Sequence, residues 1–219
     1  MEAIELADLL EPGPNGLILA NKTFTKTVFS NFVPRPPANG SVFLQGVYFD
    51  HCEVKLGTCM ISPRTTLQDV VFNNFKCGDA MRIAAEAPMR NVTIQGKRYP
   101  RMLWIKRWID AESSSAVPLT GENSSLDISG YLGEVSITGI LVEKIRINPE
   151  LHVKVYAEKM KAVDWASLES GRISSWRIAA QKAAYEGSGE GVFSLPSPKS
   201  RNYERSMAEL KQLRDAGYL

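Results

Sequence analysis

Apolar positions recur through the first half of the chain with a period of about 22 residues. Four segments align without a gap, and the offsets between their first residues are 20, 23 and 22. The segments are FTKTVFSNF (24–32), LQGVYFDHC (44–52), LQDVVFNNF (67–75) and MRNVTIQGK (89–97). Positions 4 and 6 of each segment are mostly apolar and alternate as in a β-strand, and small or polar residues tend to follow. One β-rich unit per period predicts a solenoid in which each coil stacks on its neighbours.

The alignment predicts a column of large apolar side chains. Position 6 of the four segments is occupied by Phe29, Phe49, Phe72 and Ile94. We expect these side chains to stack inside the solenoid, one above another at the ~4.8 Å separation of neighbouring strands.

The pattern divides the chain into three parts. Residues 1–16 predict an N-terminal cap built on a short helix, which would cover the open edge of the first coil. Residues 17–157 predict the solenoid, because β-type alternation resumes after a small, polar stretch near residue 120. Residues 158–219 predict a helical extension that packs on the solenoid or caps it. Within that extension, the Gly, Ser and Pro content of 187–200 predicts a linker.

Inward Leu, Phe, Val and Cys with outward Asn, Asp and Lys resemble the right-handed parallel β-helix proteins over about 17–156. The short F-x-N-x and V-x-F units are also similar to those of pentapeptide-repeat solenoids. The resemblance implies a mainly β fold, a right-handed parallel β-helix of roughly 22 residues per coil with a helical C-terminal segment. It concerns architecture alone and carries no catalytic motif, because a fold does not specify a function.

Composition and net charge disfavour several classes of function. A net charge of +2 argues against a DNA mimic and against a wholly basic nucleic-acid coat. The acidic N-terminal stretch and the lack of a long apolar run predict a cytoplasmic protein with no membrane partner. Cys52, Cys59 and Cys77 fit no zinc spacing and no secreted disulfide framework, so no metal and no cofactor is expected.

Candidate catalytic residues are few. His51 and Cys52 are adjacent, and strand alternation points such neighbours to opposite faces. His152 lies between inward-type residues and is expected to face outward in a strand. Asp50 and Asp69 fall at different positions of the repeat, so no stacked row of carboxylates is predicted. No catalytic residue is therefore assigned, and the sequence favours a non-enzymatic role without excluding an enzyme.

The segment 97–108, KRYPRMLWIKRW, has the most distinctive local composition. Trp, Tyr and Arg dominate the binding energy of protein interfaces, and Arg with aromatic residues also suits contacts to nucleic acids. Leu103 and Ile105 alternate with Trp104, so core packing is a third interpretation. The candidate partner-binding residues are Tyr99, Arg101, Trp104, Arg107 and Trp108.

These observations favour a β-solenoid that binds another protein. Its most concrete version is a bacterial immunity protein, of the antitoxin type, that neutralises a toxin domain. The alternative is a carbohydrate-acting or glycan-binding β-helix protein, and the third possibility, disfavoured by the near-neutral charge, is a nucleic-acid-binding module. The identity of the partner and the oligomeric state stay open.

Overall fold

Parallel strands stack into a β-solenoid of about 5 turns of ~23 residues, followed by a helical C-terminal segment. The computed structural model describes residues 3–55, 57–97, 100–108, 125–168, 173–185 and 188–219. Its strands form three sheets, each collecting one side of successive coils. The predicted fold class, a mainly β solenoid with a helical C-terminal segment, is confirmed.

The first sheet is the largest. Its strands are β2 (Glu11–Gly13), β3 (Gly16–Ala20), β4 (Thr23–Thr25), β6 (Ser41–Asp50), β9 (Thr65–Asn73), β12 (Met89–Gln95), β14 (Leu126–Asp127) and β16 (Ile145–Arg146). The second sheet comprises β1 (Ile4–Glu5), β5 (Val28–Asn31), β7 (Glu53–Val54) and β10 (Lys76–Cys77). The third sheet comprises β8 (Met60–Ile61), β11 (Ala80–Ala84), β13 (Met102–Lys106), β15 (Glu134–Thr138), β17 (His152–Tyr156) and β18 (Glu190–Ser194).

Short helical elements occur at both ends of the chain. Leu6–Leu9 and Val142–Lys144 are 3₁₀ turns. The α-helices are α1 (Ala157–Met160), α2 (Trp165–Leu168), α3 (Ser175–Tyr185) and α4 (Tyr203–Asp215).

Three of the four aligned segments lie in the predicted register. In the first sheet, Phe49 is opposite Phe72, and Phe72 is opposite Ile94. All three side chains are at most 2% exposed. The ring of Phe72 is stacked on that of Phe49, with centroids 5.2 Å apart and planes 9° from parallel. The interior column predicted from the 22-residue period is confirmed for these coils.

The predicted alignment of the first segment is wrong by five residues. Phe24, rather than Phe29, is opposite Phe49, and their rings stack with centroids 5.4 Å apart. Phe29 is buried as predicted, but it lies in the second sheet opposite Val54 and meets Phe49 edge-on. This error arises because adjacent sides of a coil have the same alternation of apolar and polar residues. An alignment that is shifted from one side to the next therefore still places apolar residues in the interior.

Two columns of left-handed residues form corners of the coils. The first column is Asn21, Gly46, Asp69 and Asn91, and the second column, five positions later in each coil, is Lys26, His51, Asn74 and Gly96. Asn, Asp and Gly tolerate a positive φ better than other residues, which explains why small polar residues follow the apolar pairs. Neighbouring corners are joined by side chains as well, since Asn91 Nδ2 donates to Asp69 Oδ1 at 2.8 Å.

Replacing Asn91, at φ 52°, tests the corner. Both Asn91→Gly and Asn91→Ala remove the hydrogen bond to Asp69. Only alanine is sterically strained at a positive φ, because glycine has no Cβ. We expect Asn91→Ala to be less stable than Asn91→Gly by about 1 kcal/mol in urea denaturation. Equal stabilities, or a less stable glycine variant, would contradict the assigned conformation.

The N-terminal segment is not the predicted α-helix. A 3₁₀ turn, Leu6–Leu9, separates two short strands, and Leu6 is fully buried. Strand β1 pairs with β5, and β2 pairs antiparallel with β3. The segment therefore extends the edges of the first coil with strands, which satisfies their backbone groups more directly than a helix would.

The C-terminal end of the third sheet differs from the predicted course in two ways. Residues 190–194, expected within a linker, form β18, which pairs antiparallel with both β15 and β17. Helices α3 and α4 then pack on this part of the sheet and form a second core, which includes Val153, Val155, Trp176, Phe193, Leu210 and Leu213. Local Gly and Ser content predicted a loop, but pairing with an otherwise open strand edge outweighs it.

Candidate partner-binding surface

Strand β13 settles the orientation of the basic and aromatic segment between Met102 and Lys106. Leu103 and Ile105 are fully buried in the solenoid core. Because side chains alternate across a strand, Trp104 between them lies on the outer face of the third sheet, where it is partly exposed. Trp104 is therefore a surface residue held by two core anchors.

Two cations lie over the indole ring of Trp104. Lys106 Nζ lies 4.5 Å from the ring centroid, and Arg82 Cζ lies 5.4 Å from it. Lys106 follows Trp104 on the same face of β13, and Arg82 is directly opposite Trp104 in β11. We call Arg82, Trp104 and Lys106 the Trp104 cluster. In the part of the chain that the structure describes, no carboxylate lies within ion-pair distance of either cation.

The column of residues that contains Arg82 and Trp104 continues on both neighbouring strands. Met60 and Ser136 continue the same column on the two neighbouring strands, β8 and β15. Glu134, which is exposed, lies one column away opposite Met102. Arg101, just before β13, is also exposed. The outer face thus presents two cations and one indole, with the exposed Glu134 and Arg101 nearby.

The predicted partner-binding residues that the structure describes differ in their exposure. Tyr99 lies outside the described residues. Arg107 is partly buried, and its Cγ approaches the backbone at Gly139. Trp108 packs against the solenoid core, while its backbone N–H donates to the Glu86 carboxylate at 3.0 and 3.1 Å. Trp104 lies on the outer face of the third sheet, and Arg101 is exposed just before β13.

Arg82 was missed by sequence reasoning. It lies one solenoid period before Trp104, so the same 22-residue spacing that aligned the repeats would have placed it beside the indole. Arg82 lies outside the contiguous basic and aromatic segment, but a solenoid brings together residues that are one coil apart in the sequence.

The candidate catalytic residues do not assemble into a site. Asp50 accepts hydrogen bonds from His51 Nδ1 at 2.9 Å and from Asn73 Nδ2 at 2.6 Å, and these bonds lower the pKa of its carboxyl group. Asp69 is bonded to an amide in the same way. Each carboxylate is thus paired with an amide on the next coil. Among the described residues, no group of three or more His, Cys, Asp or Glu side chains could hold a metal ion.

His152 is buried, contrary to the outward position expected for it. It begins β17 as a strand residue, but its side chain is only 1% exposed. Neither ring nitrogen has a hydrogen-bond partner, and burial lowers the pKa of the imidazole to about 4. The ring is therefore neutral near pH 7 and is enclosed at the junction between the solenoid and its C-terminal segment.

The cysteines are free and buried. Burial raises the pKa of the Cys52 and Cys59 thiols, and the neighbouring Cys77 thiol raises that of Cys59 further. Thiols with a raised pKa are poor nucleophiles and poor metal ligands at neutral pH. The three residues act as small core side chains, as expected for Cys52.

A solvent-open recess of about 660 Å³ lies near the first coil. Its lining comes from three loops and includes Asn15, Pro37, Ser41 and Arg64. Arg64 Nη1 donates to the carbonyls of Pro37, Ala38 and Gly40 at 2.9, 2.7 and 3.2 Å. These bonds hold the 33–41 loop against the next coil, so the arginine has a structural role there.

The chain matches no protein-family model, and neither the curated proteins nor the solved structures yield a match to it. In the described residues, no helix is both long and apolar enough to cross a membrane.

Proposed function

We propose that this protein is a non-enzymatic β-solenoid that binds another protein through the outer face of its third sheet. The observation that carries the proposal is Trp104, a partly exposed indole on a regular sheet with Arg82 and Lys106 over its ring. Tryptophan and arginine are the residue types that most often dominate interface energy.

The scaffold supports this role because it presents the Trp104 cluster rigidly. Leu103 and Ile105 anchor β13 in the core, and β11 and β15 pair with it on both sides. A side chain held in place before binding loses little conformational entropy when a partner docks. The contact surface is thus part of the packed solenoid rather than a mobile loop.

The more specific form of the proposal is a bacterial immunity protein of the antitoxin type, similar to pentapeptide-repeat solenoids and located in the cytoplasm. The five-position spacing between the two columns of left-handed corners supports the likeness to pentapeptide repeats. Three free, buried cysteines are consistent with a reducing compartment. The blocking of a toxin by an extended, preformed surface would need no catalytic group on this chain.

Glycan and nucleic-acid binding are less well supported by the same surface. A sugar would stack on a free indole face, whereas cations already lie over the Trp104 ring. A nucleic-acid track needs a run of cations, and the exposed Glu134 interrupts this one. The carboxylates Asp50 and Asp69 are each paired with an amide, which does not favour glycoside cleavage.

Replacing Trp104 tests the proposed surface. Partners captured by chemical cross-linking in the source cell should be recovered with the wild type and lost with Trp104→Ala, because truncation removes the largest apolar group of the contact. Once a partner is purified, calorimetry should give a loss of roughly 2 kcal/mol or more in binding free energy. Tyr48→Ala, a partly exposed aromatic in β6 of the first sheet, is the matched control and should bind normally.

Both variants must keep the wild-type melting temperature for the comparison to hold. Equal binding by wild type and Trp104→Ala would exclude the third sheet as the contact surface. The immunity form has a separate test, in which the protein encoded next to this gene is expressed with and without it. Growth inhibition by that neighbour, relieved by this chain and less well by its Trp104→Ala variant, is the expected result.

A further inference from the structure

We propose that the partner carries acidic side chains that neutralise Arg82 and Lys106 when it covers Trp104, an inference that rests on the proposed function. It identifies the chemistry of the occupant: a protein segment with at least two carboxylates placed around an apolar contact. Any protein that docks on this indole displaces water from around the two cations.

The two cations and the ring cannot be covered separately. Lys106 Nζ and Arg82 Cζ lie within 4.5 and 5.4 Å of the ring centroid, so a partner that excludes water from the indole also excludes it from both charges. A charge removed from water is strongly unfavourable unless an opposite charge or hydrogen-bond acceptors replace the solvent. The ring quadrupole compensates only part of this loss.

This chain does not supply the missing countercharge among its described residues. The ion pairs there join other groups, such as Lys76 with Glu53 and Arg146 with Asp127. Glu134, the exposed acid closest in register, is one column away and opposite Met102 rather than Trp104. The exposed Arg101 adds a further cation near the same edge. Since the described residues leave both cations without a carboxylate, we assign the countercharge to the partner.

The geometry favours a protein segment over a nucleic-acid strand. The cations converge on one ring instead of following a line, and a polynucleotide requires a series of phosphate contacts. The exposed Glu134 would also repel phosphates that pass along the sheet. A short acidic segment can place carboxylates on Arg82 and Lys106 without approaching Glu134. Arginine is well suited to such a contact because its guanidinium binds a carboxylate through two hydrogen bonds.

Selection of short random peptides displayed on phage, with immobilised wild-type protein as bait, tests the inference. We expect the selected peptides to be enriched in Asp and Glu and to lose affinity as salt is raised. Their affinity for an Arg82→Gln/Lys106→Gln variant should fall by about tenfold or more, because both cations are removed while the indole stays. An Arg82→Lys/Lys106→Arg variant, which conserves the charge, should retain most of the binding.

The matched control removes the same charge elsewhere. A Lys22→Gln/Lys55→Gln variant changes two exposed lysines next to β4 and β7, and it should bind the selected peptides as the wild type does. Equal losses in the two double variants would indicate a net-charge effect and overturn the inference.

The remaining outcomes separate this inference from the proposed function. In one outcome, the selected peptides bind Trp104→Ala less well but are not enriched in acidic residues and still bind Arg82→Gln/Lys106→Gln. This result would overturn the inference of an acidic partner and leave the proposed Trp104 surface in place. Peptides that bind Trp104→Ala as well as the wild type would overturn both. In another outcome, a single-stranded oligonucleotide competes with the peptides and no longer binds Arg82→Gln/Lys106→Gln. This result would overturn the inference and indicate a nucleic acid as the partner.

Discussion

Phe72→Ala is expected to lower the free energy of unfolding by about 3–5 kcal/mol. Phe72 is fully buried, and its ring contacts Phe49, Phe75 and Phe32 at centroid distances of 5.2, 5.3 and 5.9 Å. Truncation would leave a cavity between coils, and the stacked strands on both sides restrict its collapse. Urea denaturation monitored by circular dichroism measures the loss.

Phe24→Ala is the matched comparison for Phe72→Ala. Phe24 stacks on Phe49 at the other end of the same column but is only partly buried, so its removal opens less of a closed cavity. We expect a clearly smaller loss of stability than for Phe72→Ala. A loss below about 1 kcal/mol for Phe72→Ala would contradict the interior position assigned to that ring.

Acidification should destabilise the protein through His152. The pKa of the imidazole is about 4 in the folded chain, below its ordinary value of 6.5, because burial disfavours the charged ring. As the pH falls below 6.5, the unfolded chain therefore binds a proton before the folded chain does, and stability decreases until the pH reaches about 4. Between pH 7 and pH 4.5 we expect this residue to cost about 2 kcal/mol of stability.

Two replacements of His152 separate its titration from its polarity. His152→Leu and His152→Gln both remove the ionisable ring, so both should flatten the pH dependence of the unfolding free energy. His152→Gln replaces the two unpartnered ring nitrogens by a polar amide, whereas His152→Leu leaves no polar side-chain atom at this buried position, so His152→Leu should match or exceed the wild-type stability at pH 7. An unchanged slope in both His152 variants would contradict the buried, neutral imidazole.

The register of the middle coils was predictable because it depends on a repeated local pattern. Leu44, Leu67 and Met89 start segments of the same length, and each places its apolar residues on the inward side of the coil. The corners that follow are small or polar for a conformational reason, which is also local. At the first segment, the apolar alternation matched two adjacent sides of the coil equally well. The predicted alignment therefore placed Phe29, instead of Phe24, opposite Phe49.

The terminal segments could not be predicted in the same way. The composition of 187–200 favours a loop, and the apolar spacing of 1–15 favours a helix, yet strands form in both. Their conformation follows from the open edges of the sheets that they meet, β15 at one end and β3 and β5 at the other. An unpaired edge is a property of the assembled solenoid and is absent from any local window of sequence.

The candidate partner-binding surface could likewise be predicted only in part from the sequence. The composition of 97–108 pointed to Trp104, and strand alternation showed that Leu103 and Ile105 had to face inward if the segment was a strand. It did not show that Arg82 lies opposite the indole or that Trp108 packs on the core. Nor did it show that the side chain of His152 is buried in β17.

The sequence by itself determined the solenoid, its period and the inward columns of its middle coils, because these arise from alternation and corner preferences repeated over short distances. Only the tertiary structure decided the register of the first coil, the antiparallel pairing of β18, the cations beside Trp104 and the burial of His152. Each of these depends on contacts between segments that are one coil or more apart, where the free energy of burial and strand pairing outweighs local preference.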